Sequence, residues 1–400
     1  MRKRLNKIFW LLVAVFVFLI FRSWFSFGEI TDGDAPFYFP ETLRELPNLP
    51  YLWLSQGLGS YSSLFSSFPY LVLPLKLLSV LGLPWVLIER IAWYWPFLGL
   101  SIFSSWYLLK TVLPEVKFRF VAPLVYLFNT YILMIVGGGQ ASIFLPYAIA
   151  PLVLGLFINL LTSSRVNELK SLIITGVVLA VQVMFEPRIA FITMIALGVY
   201  CLLFINELTH SAPKFRGYVR GRRVVNLIKN LGIPFTIAGL LHFYWILPSL
   251  VLRKTSFSPT LTSSGWAEFL SFADFSDSFS LLHPNWPENI FGRTYFFRPE
   301  FLILPILAFI SLLFINELKN SRVKKNVLVF ALLGIVGAFL AKGTSPPLGG
   351  VYLWLFENIP GMNLFRDPTK FYVLTALSYS VLIPFSVEQI YLYLKKKLGN

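Results

Sequence analysis

The residues best suited to chemistry in this 400-residue sequence are two aspartates near its amino end. Asp32 and Asp34 flank Gly33 directly after a long apolar run that ends near residue 27. A carboxylate at the edge of an apolar region is partly desolvated, which raises its pKa toward that of a useful general base. The same pattern is typical of an Asx turn that caps a helix beginning near Pro36, so spacing alone leaves both interpretations open.

Basic residues at the ends of apolar segments form a second group of candidates. Arg188 begins one apolar segment, and Arg366 and Lys370 lie four residues apart before another. If a helix starts near Asp367, Arg366 and Lys370 share one face and can bracket one phosphate. Cations in such positions hold the negative charge that grows on a phosphate leaving group. Asp367 can instead neutralise Arg366, and each cation can instead contact lipid headgroups.

The segment 253–300 mixes hydroxyls, carboxylates and aromatic rings. Apolar ring faces stack on sugar faces while carboxylates and amides bind sugar hydroxyls, so this segment is a candidate acceptor platform. Tryptophan and tyrosine also form belts at membrane interfaces, which is the alternative. Asp274 and Asp277 rank below Asp34 as candidates for the base. The candidate sugar-binding residues are Trp266, Asp274, His283 and Trp286.

The elements that must position these residues are membrane helices. The sequence is 56% hydrophobic and 13% charged, whereas about a quarter of the residues in a soluble domain are charged. One crossing takes ~20 apolar residues, so we predict an all-α fold, a polytopic bundle of about 10 to 11 spans that forms a single domain over residues 1–400. A single cysteine, Cys201, excludes a disulfide framework and a cysteine-built metal site. The three histidines are scattered and show no ligand spacing, so they indicate no metal site.

The stretch 68–83 is short and contains two prolines and a lysine, so we predict that it is re-entrant or interfacial. The alternative counts it as a crossing and removes a later one. Without it, ten spans remain. The apolar segments lie at 8–27, 85–109, 120–136, 141–162, 171–186, 189–206, 231–252, 301–316, 326–341 and 371–394.

Charge predicts the orientation, because loops rich in Lys and Arg stay in the cytoplasm. Both termini and four alternate loops hold 22 of the 34 basic residues and five acids, a net charge of +17, whereas the remainder holds 12 basic and 14 acidic residues. We therefore predict a multi-pass protein of the cell membrane with both termini cytoplasmic. The segments 28–67, 253–300 and 342–370 are then outside. The basicity is a topology signal with anionic-lipid contact, and nucleic acid is not an expected partner.

Two segments resemble a known group of membrane proteins. Asp32-Gly-Asp-(x)2-Phe-Tyr-Phe39, followed by Leu54-Ser-Gln-Gly-Leu-Gly-Ser60, resembles the amino-terminal region of YfhO-type bacterial membrane proteins. The run from Gly343-(x)2-Pro346 to Phe365-Arg-Asp-Pro368 is similar to the segment before a late helix in that group and in arabinofuranosyltransferase D relatives. These proteins belong to the GT-C class of polytopic glycosyltransferases.

The resemblance implies an inverting enzyme that transfers a sugar from a polyprenyl-phosphate donor to an envelope glycan or lipid acceptor on the outer face. It assigns the base to Asp34, or to Asp32 in a shifted register. Enzymes of this class differ in metal use, so a divalent cation stays open and would need clustered carboxylates near Asp34. The sequence ends soon after Lys397, without the outer carboxy-terminal region of the YfhO group. The expectation is a minimal form or a truncated gene model.

Two other functions stay open at this stage. A carrier or flippase for lipid-linked saccharides would use broken helices near the membrane midplane, and Pro234, Pro248 and Gly334 with Gly337 are candidate breaks. A noncatalytic envelope-assembly protein would keep the fold and lack the base. The sequence contains neither a Walker phosphate loop nor a His-Glu-(x)2-His motif.

Overall fold

The protein is a bundle of α-helices. The computed structural model describes residues 2–30, 53–54, 60–61, 73–162, 169–209, 218–252, 263–282 and 299–398. Two short strands, β1 (Trp53–Leu54) and β2 (Ser60–Tyr61), form one antiparallel pair. The predicted all-α membrane bundle is confirmed.

The long helices match most of the predicted apolar segments, and several short helices lie between them. The described helices are α1 (Arg2–Ile20), α2 (Leu73–Val80), α3 (Trp85–Val112), α4 (Val121–Leu127), α5 (Thr130–Gly137), α6 (Ala141–Thr162), α7 (Leu169–Phe185), α8 (Pro187–Thr209), α9 (Tyr218–Leu252), α10 (Ser264–Phe269), α11 (Phe275–Phe279), α12 (Ile303–Phe309), α13 (Ser321–Ala341), α14 (Gly349–Asn358) and α15 (Tyr372–Leu398).

Seven helices in the described parts of the chain are long and apolar enough to cross a membrane. They are α3, α6, α8, α9, α13, α15 and the segment Glu300–Glu317, in which α12 lies. Shorter apolar helices are Ile8–Ile20, within α1, and α7. The described part of the 68–83 stretch, residues 73–83, contains α2. Its eight residues are fewer than the ~20 that a crossing needs. The protein is thus a multi-pass membrane protein.

The predicted span 120–136 is broken into α4 and α5. Asn129 has an extended backbone at the break, and its side-chain oxygen accepts from the Ile132 amide at 3.1 Å. Its amide nitrogen donates to the Tyr126 carbonyl at 2.9 Å and to the Tyr147 hydroxyl at 3.0 Å. Asparagine breaks the helix because its side chain competes for backbone hydrogen bonds. The expected breaks at Pro234 and Pro248 are absent, since both prolines lie inside α9.

The most deeply buried helix is α15, whose residues 372–386 are all buried. It packs along α13, where two glycines allow close approach of the helices. A Cβ on Gly337 would lie 2.7 Å from the Leu374 Cβ, and one on Gly334 would lie 2.7 Å from the Ser378 hydroxyl. Small residues at a helix contact are typical of membrane bundles. Gly334 and Gly337 are therefore packing residues within a continuous helix, not a break.

Segments predicted to be cytoplasmic meet at one end of the bundle, which we call the basic end. Phe9 of α1 stacks on Phe120 with ring centroids 4.3 Å apart. The Lys117 amide donates to the Glu388 carboxylate of α15 at 2.5 Å, and Asn326 of α13 donates to the Val112 carbonyl at 2.8 Å. The opposite end, which we call the site end, contains the starts of α3, α8 and α15. That the basic end faces the cytoplasm stays a prediction from charge.

A buried ion pair at the start of α3 fixes the exit of α1. Glu89 and Arg90 are 0% and 2% exposed, and their side chains are 2.8 Å apart. Arg90 donates to the carbonyls of Trp24 and Gly28 at 3.0 and 2.6 Å, and the Ile30 amide donates to Glu89 at 2.9 Å. The pair therefore fixes the chain directly before the segment that contains Asp32 and Asp34.

Candidate active site

The turn between α7 and α8 places a carboxylate beside a cation. Glu186 precedes Pro187, the first residue of α8, and its carboxylate accepts from the Arg188 amide at 3.2 Å. The Arg188 guanidinium makes a two-pronged contact with the same carboxylate, at 2.8 Å through Nε and 2.7 Å through Nη2. Such bidentate pairs fix the orientation of the guanidinium.

A second carboxylate and cation lie at the start of α15. Asp367 caps a short 3-10 helix, Pro368–Phe371, by accepting from the amide and hydroxyl of Thr369 at 3.1 and 2.6 Å. Its other oxygen is 2.7 Å from the Lys370 ammonium. The Lys370 side chain is 6% exposed and that of Asp367 is 17% exposed. An ammonium has three donors, and this contact uses one.

The two pairs interact electrostatically, because the charge of Lys370 acts on Glu186 and that of Asp367 acts on Arg188, and we call Glu186, Arg188, Asp367 and Lys370 the mouth cluster. Burial by itself raises the pKa of the Glu186 carboxyl, but hydrogen bonds and charge from Arg188, together with the charge of Lys370, outweigh burial and lower that pKa. The Asp367 charge likewise acts on Arg188. The tertiary structure thus places two of the three predicted phosphate-binding cations, each paired with its own carboxylate, within electrostatic range of the other pair.

Arg366 contacts a different part of the site. Its guanidinium lies over the ring of Trp266, 5.8 Å from the ring centroid. The helix expected to place Arg366 and Lys370 on one face begins only at Pro368, so Arg366 lies before it and the two residues do not share a helix face. Asp367 contacts Lys370, and Arg366 instead makes a cation–π contact.

Trp266 lies on a shallow surface at the site end. It is 37% exposed and Phe269 is 64% exposed, and their rings meet edge to face at 5.8 Å. Together with Ser263 and Gly265 they line a pocket of about 270 Å³. The exposed rings and the adjacent Arg366 form a surface suited to stacking against a sugar ring or to membrane contact.

The segment 263–282 crosses over the bundle and joins α5 to α15. The Leu281 carbonyl accepts from the Tyr131 amide at 3.2 Å, and the Leu282 carbonyl accepts from the Tyr372 hydroxyl at 2.8 Å. The rings of Tyr131 and Tyr372 stack at 5.0 Å. Tyr131 also lies within electrostatic range of Glu186 and Asp367. Sequence reasoning missed this tyrosine pair, although the polar Asn129-Thr-Tyr131 interruption of an apolar run was a usable signal.

The two aspartates of this segment are separate from the mouth cluster in their contacts. Asp274 is exposed and precedes α11. Burial, followed by the charge of Asp274, raises the pKa of Asp277. Asp277 therefore stays an alternative candidate for the base.

Four predicted site residues, Asp32, Asp34, His283 and Trp286, lie outside the described residues. The nearest described position to the aspartates is Ile30, whose amide binds Glu89. Within the described ranges, no group of three His, Cys, Asp or Glu side chains is placed to hold a metal ion.

Comparison with known proteins identifies the fold. No protein-family model matches the sequence, and no curated protein matches it significantly. The cryo-EM structure of arabinofuranosyltransferase AftD from Mycobacteria is similar, with a TM-score of 0.51 and 17% sequence identity. The fold is GT-C-like.

The alignment covers 92% of this chain and 25% of AftD, so the chain spans about a quarter of that protein's length. At this identity the similarity establishes the fold alone. It supports the GT-C part of the predicted resemblance and not the YfhO type specifically. Activity, substrate and partners are therefore argued from the site.

Proposed function

We propose that this protein is a membrane glycosyltransferase that moves a sugar from a polyprenyl-phosphate donor to a glycan or lipid acceptor on the outer face of the cell membrane. The observation that carries the proposal is the mouth cluster. It places two cations, each oriented by its own carboxylate, at one end of a GT-C-like bundle.

The chemistry of transfer explains what such cations would do. The acceptor oxygen forms a bond to the anomeric carbon, and the bond from that carbon to the phosphate oxygen breaks. The electron pair stays on the phosphate, which changes from a diester to a monoester and gains negative charge. Arg188 and Lys370 would stabilise that growing charge. Because Glu186 and Asp367 already orient them, little reorganisation is needed when the charge appears.

The acceptor proton needs a base. The resemblance to the YfhO group implies Asp34 for this role, with Asp32 as the alternative. The Glu89–Arg90 pair supports this proposal by anchoring the chain up to Ile30. Trp266 with Arg366 supports an acceptor or sugar surface at the same end of the bundle. Asp274, His283 and Trp286 stay proposals for contacts with the acceptor.

A carrier of lipid-linked saccharides is the second candidate, and one specific observation favours it. The break between α4 and α5 places the polar side chain of Asn129 inside the bundle, where it is 1% exposed. Broken helices with polar groups are typical of transport sites. The tyrosine contacts of Asn129 also account for this break as a structural feature, so the enzyme is the better-supported function.

The test measures release of polyprenyl phosphate from membranes supplied with polyprenyl-phosphate-linked pentoses and hexoses. Asp34→Asn should lower the rate by ~10²- to 10⁴-fold, as loss of a general base does. Arg188→Gln should lower turnover more than donor affinity, because its contact strengthens mainly in the transition state. Glu29→Gln is the matched control, since Glu29 is an exposed carboxylate in the same segment.

A carrier would behave differently in this assay. It would move the labelled lipid-linked sugar across vesicle membranes without releasing polyprenyl phosphate. If Asp34→Asn and Asp32→Asn each release polyprenyl phosphate at the full rate, neither aspartate is the base. If Arg188→Gln releases polyprenyl phosphate at the full rate, the mouth cluster has no part in the transfer reaction.

A further inference from the structure

The basic end of the bundle contains a polar cavity of about 510 Å³ that has no part in the proposed transfer. It lies between the ends of α3, α6 and α13 and the turn that follows α3. Lys110, Arg322 and Asn326 are among its lining residues. The mouth cluster is at the opposite end of the bundle, at the starts of α8 and α15, so the two sites share no residue.

The floor of this cavity contains a buried acceptor that lacks a partner in the described part of the chain. Asn326 is 2% exposed. Its amide nitrogen donates to the Val112 carbonyl at 2.8 Å, which fixes the orientation of the amide group. Its Oδ1 atom accepts no hydrogen bond from any described residue. A buried acceptor without a partner costs ~1–3 kcal/mol, so a cavity occupant that offers a donor is favoured.

The charges around the cavity select an anion. Two cations, Lys110 and Arg322, and one carboxylate, Glu115, are among its lining residues. The first turn of α13 also faces it, beginning at the capping residue Asn320. The amino end of a helix carries partial positive charge and attracts anions. A single phosphate group, held between the two cations, suits this arrangement.

An aromatic cavity of about 920 Å³ adjoins the polar one, and both share Pro114 and Glu115 in their walls. The aromatic cavity is lined by rings that include Phe9, Trp106 and Phe120. Lys110 joins the two, because its ammonium lies 4.9 Å from the centroid of the Trp106 ring. The aromatic cavity also has charged residues in its wall, among them Lys117, Arg119 and Glu388. A cationic polar cavity beside one with so many aromatic rings matches an amphiphile better than a soluble anion.

We propose that these two cavities bind one anionic glycerophospholipid with a hydroxyl-bearing headgroup, such as phosphatidylglycerol. Its phosphate lies between Lys110 and Arg322, and a headgroup hydroxyl donates to Oδ1 of Asn326. An acyl chain lies against the aromatic cavity. Basic pockets between transmembrane helices on the cytoplasmic side bind anionic headgroups in this way. The proposal is independent of the glycosyltransferase function, because it uses none of the residues of the mouth cluster.

The experiment measures lipid binding to the purified, delipidated full chain by native mass spectrometry. Phosphatidylglycerol should bind more tightly than zwitterionic phosphatidylcholine. It should also bind about fivefold more tightly than phosphatidylmethanol, which has the same charge but no headgroup hydroxyl, because one hydrogen bond contributes about that much. Equal binding of phosphatidylglycerol and phosphatidylmethanol would contradict the role of Asn326. This comparison uses the unmodified protein, so it does not depend on the folding of a variant.

Substitutions then locate the lipid. Arg322→Gln should weaken phosphatidylglycerol binding about fivefold, the contribution of one basic residue near a membrane surface. Lys319→Gln is the control, since Lys319 is exposed at the same end but is outside the cavity lining. Equal effects of the two substitutions would show general attraction to anionic lipid and overturn the site. Displacement of the lipid by an equimolar amount of glycerol 3-phosphate would also overturn it, by showing that the cavity takes a soluble phosphate.

Discussion

Substitutions in the pair formed by Lys370 and Asp367 can distinguish a catalytic role of Lys370 from a structural one. If Lys370 holds the donor phosphate, its charge is needed for turnover. If it only neutralises Asp367, removing both charges together should restore the protein. The comparison is therefore between Lys370→Met and the double variant Asp367→Asn with Lys370→Met.

The expected loss of stability follows from the geometry. The ammonium and carboxylate are 2.7 Å apart with side chains 6% and 17% exposed. Removing one partner of a buried pair costs ~3–5 kcal/mol. The partial exposure of Asp367 and its two bonds from Thr369 place Lys370→Met near the lower limit, at about 3 kcal/mol.

The double variant should recover most of that stability. It leaves no unpaired charge, and asparagine caps a helix about as well as aspartate. Thermal unfolding in detergent, followed by tryptophan fluorescence, measures this. Lys117→Met is the matched control, because its pair with Glu388 is 4.0 Å long and the lysine is 54% exposed. An exposed pair contributes ~0–1 kcal/mol.

Activity should not recover with stability. Release of polyprenyl phosphate by the double variant should stay ~10²- to 10³-fold below that of the unmodified protein, the usual loss for one charge-stabilising donor. A double variant that regains both stability and near-normal release would refute the reasoning, since Lys370 would then be structural.

Three further predictions concern charge, packing and topology. Glu186 has a lowered pKa in the fold, so its contribution to stability is present above the unfolded-state pKa and is lost as pH falls through the folded-state pKa. Unfolding temperatures measured from neutral pH to well below the ordinary Glu pKa of ~4.3 should fall less for Glu186→Gln than for the unmodified protein. Equal falls in the two proteins would contradict this. Gly337→Ala should destabilise by ~1–3 kcal/mol, because its Cβ would lie 2.7 Å from a neighbouring helix, whereas Gly198→Ala, with open space around it, should be nearly neutral in the same unfolding assay. In a Cys201→Ser background, a cysteine at Trp266 should react with an impermeant thiol reagent in intact cells and one at Arg220 should not; labelling at 220 would reverse the orientation.

The fold class and the grouping of segments by end could be predicted from the sequence. Apolar length and charge density act locally, and each membrane-spanning helix satisfies its own backbone hydrogen bonds. A run such as 141–162 is therefore recognisable by itself, and its structure matches the prediction. Loops alternate between the two sides of the membrane, so the positions of the basic residues predict which segments share an end. Contacts such as Lys117 with Glu388 place two of these segments together.

Local reasoning was least accurate where one side chain overrides an apolar run. Asn129 breaks the predicted span 120–136 through bonds to Tyr126 and Tyr147, which no periodicity reveals. Pro234 and Pro248, the strongest local signals for a break, lie in a continuous helix. The bundle decides such cases because neighbouring helices can satisfy or replace the lost backbone bonds.

The sequence by itself determined which residue types stand at the helix ends, and only the tertiary structure decided which of them meet. Arg188 and Lys370 come from distant segments, and their proximity depends on how α8 packs beside the start of α15. Arg366, four residues from Lys370, contacts Trp266 instead because the helix starts after it. Spacing along one helix is local information, whereas contacts between helices arise from packing of the whole bundle.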